Sequence, residues 1–595
     1  GSLPPSDLLF AMNDVTEKIL RKAAPYRAVA LDVFDTLLKR DVGRPADLFL
    51  LRGGTFANAR RQAEMQARAE AEREVTLAEI YARPCMAGYD PAEECAQELA
   101  AVVPNLPVRE AVRALHAQGK KLYYISDMYL PSEQVAAMLR RCGYDMLDGG
   151  FVSSAYGVQK RSGALFRRFL HDTGLKAQEV LFIGDDWRAD VAGAALAGIR
   201  AWHLPGNDPG KREEDLTSRA LAAFCANRLS GKPQTAETIG FSVLGPLMVG
   251  FCQWLHSSTA QCGGRLFFLA RDMYLVQKAY RLLYPEEKTG YLEVSRRSLC
   301  PVLLKKQMFP QLLAALPRQA LTGRQIAAYC DVRCQTEDAG RVFDLKTGRD
   351  ARQAEKFLKA LQPAPGTALT QEYLRQQGLR DGDCLVDIGS GGTTQMLLEA
   401  LCHIRLQGLQ LSGDSRLKER FPEGRAQVYL DISEENRPTY WAGQPMLERL
   451  ISQDTGATLG YVNEAGTLRV RRAAHDPDAR IEQLQRGALA FVQAWKDSVL
   501  AAVTIPAPQA AAPFLRLAAK PRKAELEILG NLTVEDGGTY PLAAVGAKSM
   551  YLRNPGRAVR DFKLARWKVG FLKRLLPLPL PYGRLYAAVK RNDKG

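Results

Sequence analysis

A set of polar residues in this chain has the types and the spacing that phosphoryl chemistry needs. Asp32 ends one apolar run, Ser126 ends a second, and Lys160 follows a third. A carboxylate can attack phosphorus, whereas a hydroxyl and an ammonium can hold the phosphoryl oxygens. Further carboxylates can bind Mg²⁺, which offsets the repulsion between an anionic nucleophile and an anionic phosphate. The acids that follow a fourth run could supply these ligands, and they are Asp185, Asp186 and Asp190.

The runs that carry these residues have the pattern of buried parallel strands. Each is apolar and ends in polar residues, and helical segments lie between them. This alternation predicts a doubly wound α/β sheet whose strand ends meet at one edge, where ligands bind. The runs are RAVALDVFD (28–36), LYYISD (122–127), GGFVSS (149–154) and VLFIGDD (180–186).

Taken in order, four motifs resemble those of the haloacid dehalogenase superfamily. They are DVFDT, ISDMY, Lys160 within VQKRSGALF, and IGDDWRAD, and the resemblance spans residues 28 to about 203. It implies that Asp32 is the nucleophile and that Ser126 and Lys160 bind phosphate. Thr36, at the turn after Asp32, belongs to the same expected catalytic set.

The resemblance also implies a Mg²⁺ site and a cap. The expected ligands are Asp32, the backbone carbonyl of Phe34, Asp185 and Asp186, with Asp190 supporting the site. The helical insert at about 45–110, rich in Ala, Arg and Glu, looks like a cap that closes over the substrate and excludes water.

Position 34 departs from the pattern of the superfamily's phosphatases. There, the residue two after the nucleophile is an Asp that protonates the leaving oxygen, whereas this chain has Phe34, and Asp35 lies one residue later. A general acid supplies about 10²- to 10⁴-fold, so its loss would slow ester cleavage without abolishing phosphate binding. Residual phosphatase activity, another phosphoryl chemistry and a degenerate binding domain all remain open.

A second α/β region contains a Gly-rich turn after the strand-like CLVDIG. Glycine lets the backbone approach a ligand, and the N–H groups of the following helix favour an anion. The turn resembles both the first motif of methyltransferases that use a nucleoside methyl donor and the phosphate loop of phosphoribosyltransferases, and a plain tight turn between strand and helix is also open. The residues concerned are Asp387, Gly389, Ser390, Gly391, Gly392 and Thr393.

Basic residues also follow two strand-like segments of this region. Arg271 and Asp272 follow RLFFLA, and Arg296 and Arg297 follow YLEVS. These arginines could converge on a phosphate or a sugar nucleotide through bidentate bonds, although surface salt bridges would explain them as well. The segments FLARDMYLV, VSRRSL, VDIGSGGTTQ and GPLMVGFCQWL resemble the second half of large bacterial dehalogenase-superfamily proteins associated with capsule, O-antigen and other envelope polysaccharide assembly, over about residues 236–430.

The positive charge of the chain is concentrated at its C-terminal end. Lys and Arg number 81 against 65 Asp and Glu, and residues 553–595 contain twelve basic residues but only two acids. A mildly basic body argues against a nucleic-acid enzyme. On a helical wheel, Phe562, Trp567 and Phe571 share an apolar side opposite basic residues, which favours either an anionic membrane surface or a docking helix within the protein.

The remaining features predict compartment and packing. Eleven cysteines without a C-x-x-C pair indicate a reducing compartment, so we expect a cytoplasmic protein, peripheral at the inner face of the cytoplasmic membrane. The uncharged segment 238–255 is interpreted as a buried helix rather than a membrane span. The six histidines lack metal-binding spacing and are interpreted as scattered structural residues.

These patterns predict a domain layout and three hypotheses for function. We expect a first domain over 1–205, a linker over 206–215, a second α/β domain over 216–550 and a basic helical tail over 551–595. The first hypothesis is a Mg²⁺-dependent enzyme acting on a phosphorylated sugar or lipid-linked glycan. The second makes the C-terminal half a glycosyl-, phosphoribosyl- or methyltransferase, and the third is a noncatalytic membrane-associated assembly factor.

Overall fold

The computed structural model describes residues 14–71, 73–206, 213–334, 337–363, 367–432, 434, 436–535 and 538–592. The described residues divide into two units. The first unit runs to Pro233 and also includes Trp495–Val503, and the second contains Gln234–Ala494 and the residues from Thr504 onward.

The first unit is built on a five-stranded parallel sheet with the order β5-β4-β1-β6-β7. All four residues of β1 are buried, as expected for an apolar strand covered on both faces. The predicted strand runs and their alternation with helices are confirmed. The strands are β1 (Ala28–Leu31), β2 (Leu38–Arg40), β3 (Val102–Pro104), β4 (Lys121–Ser126), β5 (Gly149–Val152), β6 (Val180–Gly184) and β7 (Arg200–His203), of which β2 and β3 form a separate antiparallel pair.

Helices cover this sheet and form the predicted insert between β2 and β3. The insert contains α2 to α5, and Trp187–Ala192 after β6 is a π-helical turn. The helices are α1 (Asp14–Ala23), α2 (Asp47–Leu51), α3 (Gly54–Glu70), α4 (Leu77–Tyr81), α5 (Pro91–Ala101), α6 (Leu106–Ala117), α7 (Ser132–Arg141), α8 (Ser153–Tyr156), α9 (Ala164–Thr173), α10 (Gly193–Leu196) and α11 (Leu216–Leu229).

The first unit extends past the boundary predicted at residue 205. Most of the predicted linker, residues 207–212, lies outside the described residues. Helix α11 follows it, and its Arg219 donates to both carboxylate oxygens of the buried Asp47 at 2.9 and 2.7 Å. Arg228 donates to Asp41 at 2.7 Å. Because both acids are buried, they need these guanidinium partners, and α11 therefore belongs to the first unit.

The second unit contains another five-stranded parallel sheet, with the order β14-β13-β12-β8-β9. The remaining strands form three antiparallel pairs. The strands are β8 (Leu266–Leu269), β9 (Thr289–Leu292), β10 (Ala320–Thr322), β11 (Val342–Asp344), β12 (Cys384–Ser390), β13 (Gln407–Gly413), β14 (Ala426–Val428), β15 (Thr458–Glu464), β16 (Thr467–Arg472), β17 (Thr533–Glu535) and β18 (Thr539–Pro541).

The helices from residue 236 onward surround this sheet and form the C-terminal region. They are α12 (Ala236–Ile239), α13 (Gly245–Cys262), α14 (Tyr274–Leu283), α15 (Arg296–Lys305), α16 (Phe309–Ala315), α17 (Gly323–Tyr329), α18 (Ala351–Ala360), α19 (Thr367–Gln377), α20 (Thr393–Cys402), α21 (Ser415–Arg420), α22 (Arg437–Ile451), α23 (Ala479–Lys496), α24 (Ala507–Ala519), α25 (Lys523–Leu529), α26 (Lys548–Arg553), α27 (Pro555–Leu564), α28 (Lys568–Leu575) and α29 (Tyr582–Asn592).

The apolar segment near residue 250 is mostly buried. One helical stretch of the described residues, Ala236–Cys262, is long and apolar enough to cross a membrane. Of its most apolar 18-residue segment, however, 78% is buried inside the protein. That burial is what a core helix of a folded unit would show, as predicted for 238–255.

The basic tail is helical as predicted, but it is divided into separate helices, and part of its predicted apolar side is buried. Helix α27 ends at Leu564 and α28 begins at Lys568. Between them, Trp567 is fully buried, and its indole Nε1–H donates to the carbonyl of Ala518 at 3.1 Å. Phe571 is fully buried as well. The helical wheel missed this because it assumes an uninterrupted helix.

Candidate active site

Three neighbouring strands of the first sheet bring the predicted residues to one edge. Asp32 directly follows β1, Ser126 ends β4, and Asp185 directly follows β6. The strand order changes direction at β1, because β4 and β5 lie on one side of it and β6 and β7 on the other. Such a switch point leaves a crevice outside the carboxyl ends of the strands, and Asp32 and Asp185 flank it.

Three carboxylates converge in this crevice. Oxygens of Asp32, Asp185 and Asp190 lie within 4.8 Å of one another. Asp190 reaches the cluster from the π-helical turn, and its Oδ2 accepts a hydrogen bond from the backbone N–H of Asp186 at 3.0 Å. A Cβ at Gly184 would lie 2.2 Å from that same oxygen, so only glycine leaves room for Asp190.

Lys160 joins two of these acids. Its Nζ lies 2.5 Å from Oδ1 of Asp32 and 2.5 Å from Oδ1 of Asp190. Burial by itself would lower the pKa of Lys160, but Asp32 and Asp190 raise it above its ordinary value. The ammonium is therefore charged. With its three carboxylates ionised, the cluster has two more negative charges than positive ones, which a divalent cation would neutralise.

The pKa values of the acids reflect the same excess of negative charge. Burial, opposed by Lys160 and reinforced by Asp190 and Asp185, raises the pKa of Asp32 well above its ordinary value. Burial and the nearby Asp35 and Asp190 raise the pKa of Asp185 to about 6. A divalent cation would remove this penalty, because it favours the ionised form of every carboxylate around it. The residues present therefore fit a Mg²⁺ ion, which takes oxygen ligands.

Two buried hydroxyls in this region lack partners among the described residues. Thr36 and Ser126 are 0% and 1% exposed, and neither Oγ atom forms a hydrogen bond. A buried polar atom without a partner costs about 1–3 kcal/mol, so such atoms mark places where a ligand completes the bonding. Ser126 is predicted to bind phosphate and Thr36 belongs to the expected catalytic set, and phosphoryl oxygens are acceptors that both hydroxyls can satisfy.

Asp186 lies outside the carboxylate cluster, and its predicted role as a metal ligand stays a prediction. Its Oδ1 accepts hydrogen bonds from the backbone N–H groups of Ala189 and Arg188 at 2.8 and 2.7 Å, which caps the π-helical turn. These bonds lower the pKa of Asp186. Asp190, expected to support the metal site, lies in the cluster because the turn directs position 190 rather than 186 back to the sheet.

The position expected to carry a general acid is occupied by an aromatic ring. The guanidinium of Arg40 lies 4.1 Å from the centroid of the Phe34 ring, and Arg40 also donates to Glu98 of α5 at 2.9 Å. Asp35 has a left-handed backbone with φ of 60°, and its carboxylate lies 3.7 Å from the Nζ of Lys39. Whether the carbonyl of Phe34 binds a metal stays a prediction.

Asp127 is a residue of this site that the motifs contained but that sequence reasoning did not assign. Its carboxylate accepts the backbone N–H of Lys160 at 2.9 and 3.1 Å, which fixes the start of the turn carrying that lysine. Burial raises the pKa of Asp127 to about 6. Its position directly after Ser126, at the end of β4, is the sequence feature that could have assigned it to the site.

In the second unit, the predicted residues separate into different environments. Arg271 donates to Glu535 at 3.1 Å, and Asp272 accepts from the hydroxyl of Ser452 at 3.1 Å. Burial, with the nearby Asp272, raises the pKa of Asp387 to about 6, and Arg296 is close enough to oppose that rise. Arg297 lies elsewhere, with its guanidinium 5.2 Å from the centroid of the Tyr329 ring.

The Gly-rich turn is a close-packed connection between β12, which ends at Ser390, and α20. Gly389 has a φ of 92°, and a Cβ there would lie 1.7 Å from the carbonyl oxygen of Ser412. Gly392, with φ of 63°, precedes the helix. Arg420 donates to the carbonyl of Gly391 and, at 3.0 Å, to Oγ1 of Thr393. These contacts explain why the connection needs glycine at positions 389 and 392, and the predicted ligand-binding role of the turn stays a prediction.

Arg271 instead lines a cavity of about 200 Å³ that sequence reasoning missed. At its wall, His475 lies between two carboxylates, with Nε2 2.6 Å from Asp454 and Nδ1 2.9 Å from Glu535. Arg449 donates to the same Asp454 oxygen at 2.7 Å. These residues lie far apart in the chain, and no local motif relates them.

Comparisons with known proteins bear on the first unit. Residues 26–198 match the family model described as a haloacid dehalogenase-like hydrolase, so this part of the chain contains a hydrolase domain of that type. A search of curated proteins found no match.

Solved structures similar to the chain come from several organisms. The hydrolase YfnB of this superfamily from Bacillus subtilis, bound to magnesium, is 21% identical with a TM-score of 0.25, over 32% of this chain and 92% of that one. A phosphatase from Thermococcus onnurineus is 18% identical with a TM-score of 0.25, over 32% and 90%. A family enzyme from Bacteroides thetaiotaomicron is 15% identical with a TM-score of 0.26, over 31% and 96%. These values are too low to indicate a shared chemistry.

Proposed function

We propose that the first unit is a Mg²⁺-dependent hydrolase of phosphate monoesters with Asp32 as its nucleophile. One observation carries the proposal: Asp32 lies at the switch point of the sheet, within 4.8 Å of Asp185 and Asp190 and 2.5 Å from the Lys160 ammonium. The match of residues 26–198 to a hydrolase family supports the reaction type.

The side chains of the site divide the work of the reaction. A carboxylate oxygen of Asp32 would attack phosphorus, forming an aspartyl phosphate while the bond to the ester oxygen breaks, and water would then cleave the acyl phosphate. The Lys160 ammonium and the hydroxyls of Thr36 and Ser126 would donate to the phosphoryl oxygens. Lys160 also holds Asp32 in position, since its Nζ bonds one oxygen of that carboxylate.

Asp32, Asp185 and Asp190 are the residues that would hold the magnesium ion. When bound, the ion supplies charge that lets the Asp32 carboxylate approach an anionic phosphate. Asp127 keeps Lys160 in place through the backbone N–H at position 160. The helices α2 to α5 would exclude water from the crevice.

Loss of an aryl phosphatase activity in Asp32→Asn tests the proposal. We expect hydrolysis of p-nitrophenyl phosphate that requires Mg²⁺ and falls by at least about 10³-fold in this variant, because an amide is no nucleophile. Asp186→Asn is the matched control, because Asp186 lies outside the carboxylate cluster and an amide oxygen can still cap the turn. Equal activity of Asp32→Asn and the unmodified protein would overturn the assignment.

For the substrate, we propose a phosphorylated sugar or lipid-linked glycan of envelope polysaccharide synthesis. Support comes from the similarity of 236–430 to proteins associated with that process. A panel of sugar phosphates compared with other phosphate esters at equal concentration tests this class. A higher kcat/KM for the non-sugar esters would speak against it.

A second candidate function is sugar-phosphate binding by the second unit, as part of a transferase. In its sheet the chain passes from β8 to β9 on one side and to β12 on the other, so the switch point lies between β8 and β12. Arg271 and Asp272 follow β8, Asp387 lies on β12, and the cavity with His475 adjoins Arg271. The cavity, at about 200 Å³, is smaller than the pockets of drug-sized ligands, so it favours a small ligand such as a single sugar phosphate.

Thermal stabilisation by glucose 1-phosphate tests the second candidate. We expect the ligand to raise the unfolding temperature of the full chain, and His475→Gln or Arg271→Gln to abolish the rise. Arg297→Gln is the control, because that arginine packs on Tyr329. A rise that persists in both cavity variants would refute this site.

A further inference from the structure

Exposed apolar side chains are concentrated near the C-terminal end of the second unit. Of the twelve large hydrophobic side chains that are exposed in the described part of the chain, seven lie between residues 552 and 585. The densest group is Leu576, Leu578 and Leu580, which are 49%, 52% and 46% exposed. They alternate with prolines, so residues 576–581, here named the 576–581 loop, are apolar and exposed throughout.

This loop is presented on a firmly packed base. It joins α28 to α29, and the buried Tyr582 after it donates its hydroxyl to the carbonyl of Leu576 at 2.5 Å. Before α28, Trp567 is fully buried and bonded to Ala518 of α24. Since the neighbouring aromatic residues are already in the core, the exposure of the leucines belongs to the folded state and does not reflect a detached tail.

The backbone of the loop has few hydrogen-bond donors to desolvate. Pro577, Pro579 and Pro581 have no N–H group. The Leu576 N–H donates to the carbonyl of Leu572 at 2.9 Å, and the Leu578 N–H donates to Leu576 at 2.8 Å. In an apolar medium an unpaired N–H is costly, so an exposed strand of ordinary sequence could not enter lipid. The alternation of leucine and proline largely removes that cost.

Basic residues flank the loop in the sequence, and several of them are exposed. Between residues 553 and 592 the chain has eleven basic residues but a single acid, Asp561. Arg553, Arg560, Lys563 and Arg584 are exposed. Leucines at the level of the acyl chains and cations at the level of the headgroups are the two signals that stable attachment to an anionic membrane requires.

We propose that the 576–581 loop inserts into the interfacial region of an anionic lipid bilayer and that the surrounding cations bind its headgroups. A second copy of the chain is a poorer occupant, since it would bring two strongly basic surfaces together. The inserted element is thus a leucine-proline loop, and the buried Trp567 and Tyr582 on either side of it fix its base.

Vesicle co-sedimentation of the full chain tests the proposal. We expect binding to vesicles of phosphatidylcholine with phosphatidylglycerol, weakening with added salt, and at least about tenfold weaker binding to phosphatidylcholine alone. The triple variant Leu576→Ser, Leu578→Ser and Leu580→Ser should bind the anionic vesicles at least about tenfold more weakly. The double variant Met65→Ser and Leu196→Ser, whose side chains are 72% and 63% exposed in the first unit, is the matched control.

Three outcomes would overturn the proposal. Failure of the unmodified chain to bind anionic vesicles is the first. Undiminished binding of the triple leucine variant is the second, because it would show that the cations alone account for the binding. A change in oligomeric state in the triple variant, with vesicle binding unaltered, is the third, since it would assign the loop to a contact between protein chains.

A fluorescence reporter distinguishes insertion from misfolding of the variant. Leu578→Trp should add emission that shifts to shorter wavelength with anionic vesicles and is quenched by lipids brominated on their acyl chains. Added emission that stays unshifted and unquenched on bound vesicles would refute insertion.

Discussion

Lys160 sets the charge balance of the candidate active site. It contacts Asp32 and Asp190 at 2.5 Å each, and these carboxylates raise its pKa despite burial. It therefore stays protonated at physiological pH and can donate to a phosphoryl oxygen, but it cannot act as a base. The sequence correctly grouped this lysine with Asp32, whereas its contact with Asp190 depends on the π-helical turn after β6.

The proposed reaction would have no general acid at position 34, because Phe34 occupies it. We predict that Phe34→Asp raises kcat for an alkyl phosphate by about 10²-fold, because an acid at this position can protonate the leaving oxygen. The gain should be much smaller for p-nitrophenyl phosphate, whose leaving group needs no proton. Steady-state rates on both esters measure the difference, and Phe34→Asn separates protonation from the loss of the ring. An equal gain in the Asn variant would contradict this explanation.

Burial of Asp387 should make the stability of the second unit depend on pH. Its pKa in the folded state is raised to about 6 by burial, with Asp272 adding to the rise. Between about pH 4 and pH 6, the Asp387 carboxyl is therefore protonated in the folded state but ionised in the unfolded state. The free energy of unfolding falls as pH rises through that window. We predict that Asp387→Asn stabilises the protein by about 1–3 kcal/mol at pH 7.5 and by far less at pH 4.

Denaturant unfolding at the two pH values checks this effect. Asp383→Asn is an informative comparison, because Asp383 has a guanidinium partner in Arg265 at 2.6 Å and its variant should destabilise the protein. Equal stability changes for Asp387→Asn at both pH values would contradict the assigned cause.

At the scale of elements, a buried ion pair holds the helical insert together. Arg60 of α3 donates to both carboxylate oxygens of Glu94 of α5 at 2.7 and 2.9 Å, and the two residues are 0% and 1% exposed. Tyr81 donates to the same carboxylate at 2.9 Å. The Arg60 guanidinium also lies 4.7 Å from the centroid of the Tyr129 ring, which follows β4. The pair therefore connects the insert to the sheet that holds the active site.

Glu94→Ala should therefore destabilise the first unit by about 3 kcal/mol, because it leaves the Arg60 charge buried with fewer partners. Glu93→Ala is the matched control, since Glu93 is a mostly exposed neighbour whose pair with Arg52 is worth less than about 1 kcal/mol. Calorimetric unfolding of the full chain measures both changes. Similar losses for the two variants would show that burial of the pair does not matter.

At the scale of the whole molecule, the two units repeat one design with different outcomes. Each has a five-stranded parallel sheet with a switch point between neighbouring strands. In the first unit, three carboxylates and a lysine fill that crevice, and in the second, a cavity lies beside Arg271. The first arrangement has a net negative charge that suits a cation, whereas in the second Arg271, Arg449 and His475 each contact a carboxylate.

The unit boundary gives a prediction for fragments. A fragment ending at residue 205 lacks Arg219 and Arg228, so it leaves Asp47 and Asp41, which are 2% and 1% exposed, without their guanidinium partners. We predict that this fragment melts at least about 10 °C below one ending at residue 233. Thermal unfolding followed by circular dichroism compares them. Equal melting temperatures would show that α11 contributes nothing to the first unit.

The sequence alone determined the strand ends and the first site. A parallel strand buried on both faces needs a continuous apolar run, and its polar end must lie at the sheet edge, so Asp32, Ser126 and Asp185 could be placed from local pattern. Only the tertiary structure selected Asp190 over Asp186, extended the first unit to Pro233, buried Trp567 and assembled the cavity around His475. Those outcomes depend on contacts between residues distant in the chain, and periodicity and local motifs contain no information about such contacts.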